Sequence, residues 1–186
     1  MERTYKLTRR GQLLIVKEHF PYIILTCIIY FIFIHYYPGK DDLEALTAIA
    51  CYLVLGAVPS FIFHYQYYLY SEGKKIIVNA DEHRMTIEGE RGMDTFLFGQ
   101  IKSIKLVLTV PLYRGFRRGS FPWQVYHYAV LEIDGDVRFV ITCLLIRDLR
   151  IFFKDLGLEV VKERRALPWI SMKKYKKKIE KSADGW

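Results

Sequence analysis

Two long runs without a charged side chain, Phe20 to Gly39 and Ala45 to Ser71, dominate this chain, and only the short polar segment Lys40-Asp41-Asp42-Leu43-Glu44 separates them. A helix of roughly 18 to 25 apolar residues crosses the hydrocarbon core of a bilayer, so each run is long enough to do so. A two-helix transmembrane hairpin over residues 20–71 is therefore expected, with a leader at 1–19, a folded domain at 72–160 and a basic tail at 161–186.

Charge sets the expected orientation. Arg3, Lys6, Arg9, Arg10 and Lys17 precede the first run, Lys74 and Lys75 follow the second, and between them Lys40 faces three acids. The positive-inside rule then puts both termini in the cytoplasm, in a multi-pass inner-membrane protein. Phe20, Tyr22, Tyr36 and Tyr37 flank the first run and Tyr65, Tyr67, Tyr68 and Tyr70 close the second, as rings do at headgroup level. Pro38-Gly39 ends the first helix. A cleaved signal peptide fits poorly, because no small-x-small site follows the apolar core. The other alternative is a buried hairpin in a soluble protein.

Gly56 and Pro59 are read as a close helix contact and a bend. His35 and His64 fall at opposite ends of an antiparallel hairpin and share no site, whereas His19 could approach His64. Cys27, Cys51 and Cys143 show no paired or metal-type spacing, so no disulfide framework is implied.

In the leader, Thr4-Tyr5-Lys6-Leu7-Thr8 alternates as a strand does, and Thr8 can cap the helix after it. With both termini on one side, this strand can join the sheet of the C-terminal domain. Beyond Ser71, strands are predicted at Lys75–Asn79, Arg84–Gly89, Thr95–Phe98, Ile101–Val110, Gln124–Ile133 and Val137–Thr142. Asp134-Gly135-Asp136 marks a hairpin between the last two. Leu145, Leu149, Phe152, Phe153 and Leu156 then fall at helical spacing, with Thr142 as a candidate cap and Gly157 as the stop.

This order resembles the bacterial PH-domain membrane proteins, particularly the YcxB-like group. The resemblance rests on Tyr5-Lys6-Leu7-Thr8, the hairpin, Ile76-Ile77-Val78, Phe96-Leu97-Phe98 with Gln100-Ile101-Lys102-Ser103-Ile104, and the Asp148-Leu149 helix, over roughly residues 4–157. It implies an α+β membrane protein, with a PH-like antiparallel barrel capped by one C-terminal amphipathic helix. Phosphoinositide-binding PH domains carry a basic first hairpin loop. Here the loop reads Asn79-Ala80-Asp81-Glu82-His83-Arg84, and its two acids repel phosphate.

Function is sought in two basic segments. Tyr113-Arg114-Gly115-Phe116-Arg117-Arg118-Gly119-Ser120-Phe121-Pro122-Trp123 interleaves three arginines with aromatic rings, a combination suited to headgroups, a partner peptide or single-stranded nucleic acid. Arg114, Phe116, Arg117, Arg118 and Trp123 are the candidates there; a solvated hairpin loop is the plain alternative. Lys173, Lys174, Lys176, Lys177 and Lys178 form a polybasic run, and each cation near an anionic leaflet contributes about 1 kcal/mol. Residues 162–181 hold 9 basic side chains against Glu163 and Glu180. Nucleic-acid binding has only this charge behind it, and a solvated tail is the plain alternative.

The sequence holds no nucleophile elbow, phosphate-cradling glycine loop or zinc helix. No catalytic residue, metal ligand or cofactor is assigned. The expected protein is a non-enzymatic module that recruits or scaffolds at a membrane, with the bilayer, anionic headgroups and an unidentified protein as partners. The alternative is a membrane enzyme, or a subunit of a membrane complex, whose polar residues, such as His127, Glu132 and Asp148, meet in one cleft.

Overall fold

The structure is a computed structural model that describes residues 2–17, 20–36, 42–89, 92–116, 121–134 and 137–170. Among these residues the order is β1 (Glu2–Lys6), α1 (Arg9–Lys17), α2 (Phe20–Tyr36), α3 (Asp42–Ser71), β2 (Lys75–Asn79), β3 (Arg84–Gly89), β4 (Gly92–Leu97), β5 (Ile101–Thr109), α4 (Val110–Tyr113), β6 (Tyr128–Ile133), β7 (Arg138–Thr142), α5 (Leu149–Asp155) and β8 (Val161–Arg165). They build two four-stranded sheets, β1-β2-β3-β4 and β7-β6-β5-β8. The β5–β8 pair is parallel and the other neighbouring pairs are antiparallel.

The three helices from α1 to α3 are inserted between two paired strands. β1 and β2 run in register from Glu2↔Asn79 to Lys6↔Lys75. The leader strand expected at Thr4–Thr8 thus lies two residues earlier and joins the domain's sheet. Thr8 accepts a hydrogen bond from the Gly11 N–H at 3.0 Å, which satisfies one of the free donors at the start of α1.

Two cores share the second sheet. The first lies between the sheets, where Ile76, Met85 and Phe96 meet Leu106, Leu131 and Ile141, and Phe152 and Phe153 of α5 plug the open end. The second covers the other face, where Val107, Tyr128, Val130 and Val140 pack on Ile15 of α1 and on Phe63 and Tyr67 of α3. Tyr128, Ala129, Val130 and Leu131 are consequently all buried. A strand covered on both faces loses its polar alternation, and that is why β6 reads as a continuous apolar run.

The capping helix is shorter than its periodicity predicts. Leu145 and Ile146 lie in a turn whose N–H groups donate to the Thr142 carbonyl. Asp148, not Thr142, caps α5, accepting from the N–H groups of Arg150 and Ile151 at 3.0 and 3.4 Å. A carboxylate there also meets the positive end of the helix dipole. The Thr142 hydroxyl instead shares a 2.5 Å hydrogen bond with Ser71 at the end of α3. Gly157, at φ 67°, closes α5 while the Leu158 N–H donates back to Phe153.

The transmembrane hairpin is corrected by this architecture. Among the described residues, no helix is long and apolar enough to cross a membrane. α2 has 17 residues, about 25 Å at 1.5 Å per residue against a hydrocarbon core of about 30 Å. α3 has 30 residues but contains Pro59, and from Leu55 onward it is held by the domain. The multi-pass inner-membrane placement with cytoplasmic termini loses its basis together with the spans. Tyr37, Pro38, Gly39 and His19 lie outside the described residues.

α3 faces two ways. Gly56, Ser60, Phe63, Tyr67 and Ser71, at helical spacing, are buried against the domain. On the opposite side Leu55, Val58, Phe61, Ile62, Tyr65 and Leu69 are exposed, and so are Ile24, Leu25, Ile28, Phe31 and Ile32 along one stripe of α2.

Residues expected in the basic tail are partly built into the fold. Val161–Arg165 form β8, where Glu163 lies 2.6 Å from Arg165 and 3.7 Å from Lys105 and so offsets the cations. The chain then turns back along α3. The Gln66 amide donates to the Ile170 carbonyl at 2.9 Å and accepts the Ile170 N–H at 3.2 Å, while the Tyr67 hydroxyl donates to Pro168.

Candidate functional site

The loop after β5 divides into a braced foot and an exposed tip. Proline has no N–H, so Pro59 leaves the carbonyl four residues earlier without its helical partner. That carbonyl belongs to Leu55, and the Trp123 indole N–H donates to it at 3.2 Å. Trp123 also stacks on Phe121, with ring centroids 5.8 Å apart, and sits 6.2 Å from Phe63. Gly56 faces the same foot: a Cβ there would lie 3.9 Å from Phe121 and from Pro122. The close contact expected at Gly56 is therefore with this loop. Thr109 closes the base by donating to the Gln124 carbonyl at 2.6 Å.

The tip begins on α4, anchored by buried Leu112, whose carbonyl also accepts from Arg150 at 3.3 Å. Gly115, at φ 87°, takes the left-handed conformation that reverses the chain. The Phe116 N–H returns to Pro111 at 3.1 Å. Tyr113, Arg114 and Phe116 are all exposed, Phe116 by 58%. A cation between two rings on a fixed base can meet anionic, partly apolar surfaces. α4 lies against β8, which leads into the strap at Pro168–Ile170, so the tip neighbours the stem of the lysine run. Arg117, Arg118, Lys173, Lys174, Lys176, Lys177 and Lys178 lie outside the described residues.

Of the polar residues that an enzyme would gather, His127 and Asp148 lie near enough to feel each other's charge, but each is held by its own hydrogen bonds. His127 is buried, with Nδ1 2.9 Å from the Val125 carbonyl and Nε2 3.4 Å from the Leu149 N–H. A carbonyl only accepts, so Nδ1 carries the proton and Nε2 is the acceptor. Burial holds the imidazole below its ordinary pKa. Burial works to raise Asp148, but the Arg150 guanidinium outweighs it and keeps the carboxyl low. Glu132 pairs with Arg138 and accepts from Ser103. Cys143 is fully buried, and its thiol is pushed up to about 12; a thiol so protonated is a poor nucleophile.

His64 is 3.0 Å from the Tyr126 hydroxyl, and His35 stacks on Phe31. Among the described residues, no group of three or more His, Cys, Asp or Glu side chains comes together as a metal site.

The acidic first hairpin loop is a tight turn. His83, at φ 50°, bonds back to Ala80 through its ring and stacks on Phe98. Glu82 holds Arg84 at 2.6 Å, so the cation of this loop is matched within the loop itself. Sequence reasoning found the arginines and rings of the later loop, but missed that Trp123 serves its foot. The signal was Pro59, whose orphaned carbonyl calls for a donor.

The family model described as PH domain matches residues 4–153. The matched span includes the inserted helices and ends within α5. No curated protein and no solved structure matches the chain.

Proposed function

The chain belongs to the PH domain family, and from that premise we propose that it is a non-catalytic binding and scaffolding module that engages anionic lipid headgroups. Arg114 and Phe116, with Arg117 and Arg118, make the contact, and Lys173, Lys174, Lys176, Lys177 and Lys178 strengthen it. Trp123 keeps the tip rigid from below. The observation that carries this reading is Arg114 exposed between exposed Tyr113 and Phe116 on a foot tied to α3. The acidic turn between β2 and β3 argues against phosphate recognition at the usual PH position. We read the order of leader strand, helices and domain as resembling the YcxB-like group within that family.

Vesicle flotation of the full chain tests the proposal. Binding to phosphatidylserine vesicles at low salt should exceed binding to phosphatidylcholine at least tenfold. It should fall toward the neutral level when Arg114, Arg117 and Arg118 become glutamine, and also in about 1 M salt, where the Debye length shrinks to about 3 Å. Equal binding to both vesicles, or binding indifferent to salt and to the arginines, would overturn it and favour a protein partner.

A further inference from the structure

Two helical stripes are left bare by the fold. On α2, Ile24, Ile28 and Phe31 lie along one stripe, and on α3, Val58, Ile62 and Tyr65 do the same, each at helical spacing. Neither helix has an amphipathic polar face turned to water: α2 contains no Asp, Glu, Lys or Arg, and α3 has none between Glu44 and its last residue, Ser71. Monomeric proteins rarely leave an apolar patch of more than a few hundred Å² in water. Five side chains of the α2 stripe and seven of the α3 stripe are each about half exposed, which leaves on the order of 1,000 Å² of apolar surface. A standard interface takes about 800 Å² from each partner.

We propose that these stripes bind a second copy of the chain, packing hairpin against hairpin into a four-helix arrangement about a two-fold axis. Three observations favour this occupant. The area matches what a stable dimer buries. An uncharged apolar face is complementary to itself, as a two-fold contact requires. Among the described residues no helix is long and apolar enough to cross a bilayer core, so a second copy is the better match to these stripes. Paired two-helix hairpins form an ordinary bundle, with the apolar stripes as its core.

The chain carries its own probes, because Cys51 on α3 and Cys27 on α2 are exposed while Cys143 is buried. Purified full-length protein in lipid-free buffer should scatter light at twice the chain mass. A short bis-maleimide should link two copies, and Cys27→Ser with Cys51→Ser together should abolish the link. Ile28→Glu with Val58→Glu should shift the protein to monomer, with the circular dichroism of the β domain retained. Val137→Glu, at another exposed apolar position, should leave the dimer intact. Cross-linking of the wild type needs no folded variant and stands alone as a measurement. A monomeric mass without cross-linking overturns the proposal, as does a dimer indifferent to the stripe charges. So does a monomer that partitions into phosphatidylcholine vesicles through these residues. The mass and cross-linking results do not bear on the salt-sensitive binding assigned to the loop tip; partition into phosphatidylcholine does, because it raises the neutral-vesicle level against which that binding is measured.

Discussion

The indole of Trp123 donates to the carbonyl of Leu55, the acceptor that Pro59 leaves without a helical partner. Sixty-eight residues of sequence separate donor and acceptor. The contact joins the inserted helices to the loop after β5 at the one point of α3 where the helix ladder is broken.

Trp123→Phe keeps a ring against Phe121 and Phe63 but removes the donor, and should cost about 1–2 kcal/mol in urea denaturation. Pro59→Ala restores an N–H that can satisfy Leu55. In that background the cost of Trp123→Phe should fall by roughly half or more. A double-mutant cycle with no coupling would show that the indole N–H is not serving the carbonyl freed by proline.

Gln66 closes a two-bond clamp on Ile170. Gln66→Ala leaves a buried N–H and a buried carbonyl unpaired and should destabilise the fold by about 2–4 kcal/mol. Its local signature is amide exchange: the Ile170 N–H should lose protection while β5 and β6 keep theirs. Unchanged protection at Ile170 would mean that the Tyr67 hydroxyl on Pro168 and the Tyr128 hydroxyl on Trp169 hold the strap without Gln66.

His127 predicts an acid-side loss of stability. Its folded pKa lies below the ordinary 6.5 because of burial, so between these two values the unfolded chain binds more protons. Stability is then complete above about pH 6.5 and declines as the pH falls below it, by at most about 1.4 kcal/mol per pH unit. His127→Gln keeps an acceptor for Leu149 without a titrating ring and should flatten the profile in that window. Asp148, held low chiefly by Arg150 against its own burial, adds a second loss below about pH 4, as the pH falls toward its depressed pKa.

Gly157→Ala tests the end of α5. At φ 67° a Cβ is strained, yet nothing lies within 4 Å of it. The expected loss, about 1 kcal/mol, is therefore conformational and should appear without any change in the burial of Phe153.

Strand positions were legible in part: β4, expected at Thr95–Phe98, runs over Gly92–Leu97, whereas two other strands with one wet face were placed to the residue. Lys75–Asn79 and Arg84–Gly89 alternate, and their bounds agree with the sequence. β6 was predicted from Gln124, four residues early, because Val125 and Tyr126 are as strand-like in type as the residues of β6 itself, although Gln124 and Val125 lie before the strand. They form instead the 3-10 turn that carries Trp123. β8 was hidden by its charges, since Val161–Arg165 reads as a solvated basic segment until Lys105 and Glu163 are placed side by side. The apolar helices were legible as helices, but their surroundings were not. Composition alone does not separate a helix face that meets lipid from one that meets Tyr126 and Tyr128. Of the binding candidates, Arg114 and Phe116 are exposed as residue type suggests, while Trp123 has a structural role that only the broken ladder of α3 discloses.

The insertion of α1 to α3 between two paired strands also orders events during synthesis. β1 leaves the ribosome well before its partner Lys75–Asn79, so about seventy residues, including the most apolar of the chain, must emerge before the bonds between them can form. Closing so long a loop is slow relative to local hairpins such as β2–β3. The nascent chain therefore carries an unmatched strand and two bare helices together, and α3 finds its dock only after β6 and the turn before it have been made. Any factor that shields apolar segments at the ribosome would meet this protein early, and would have to release it late.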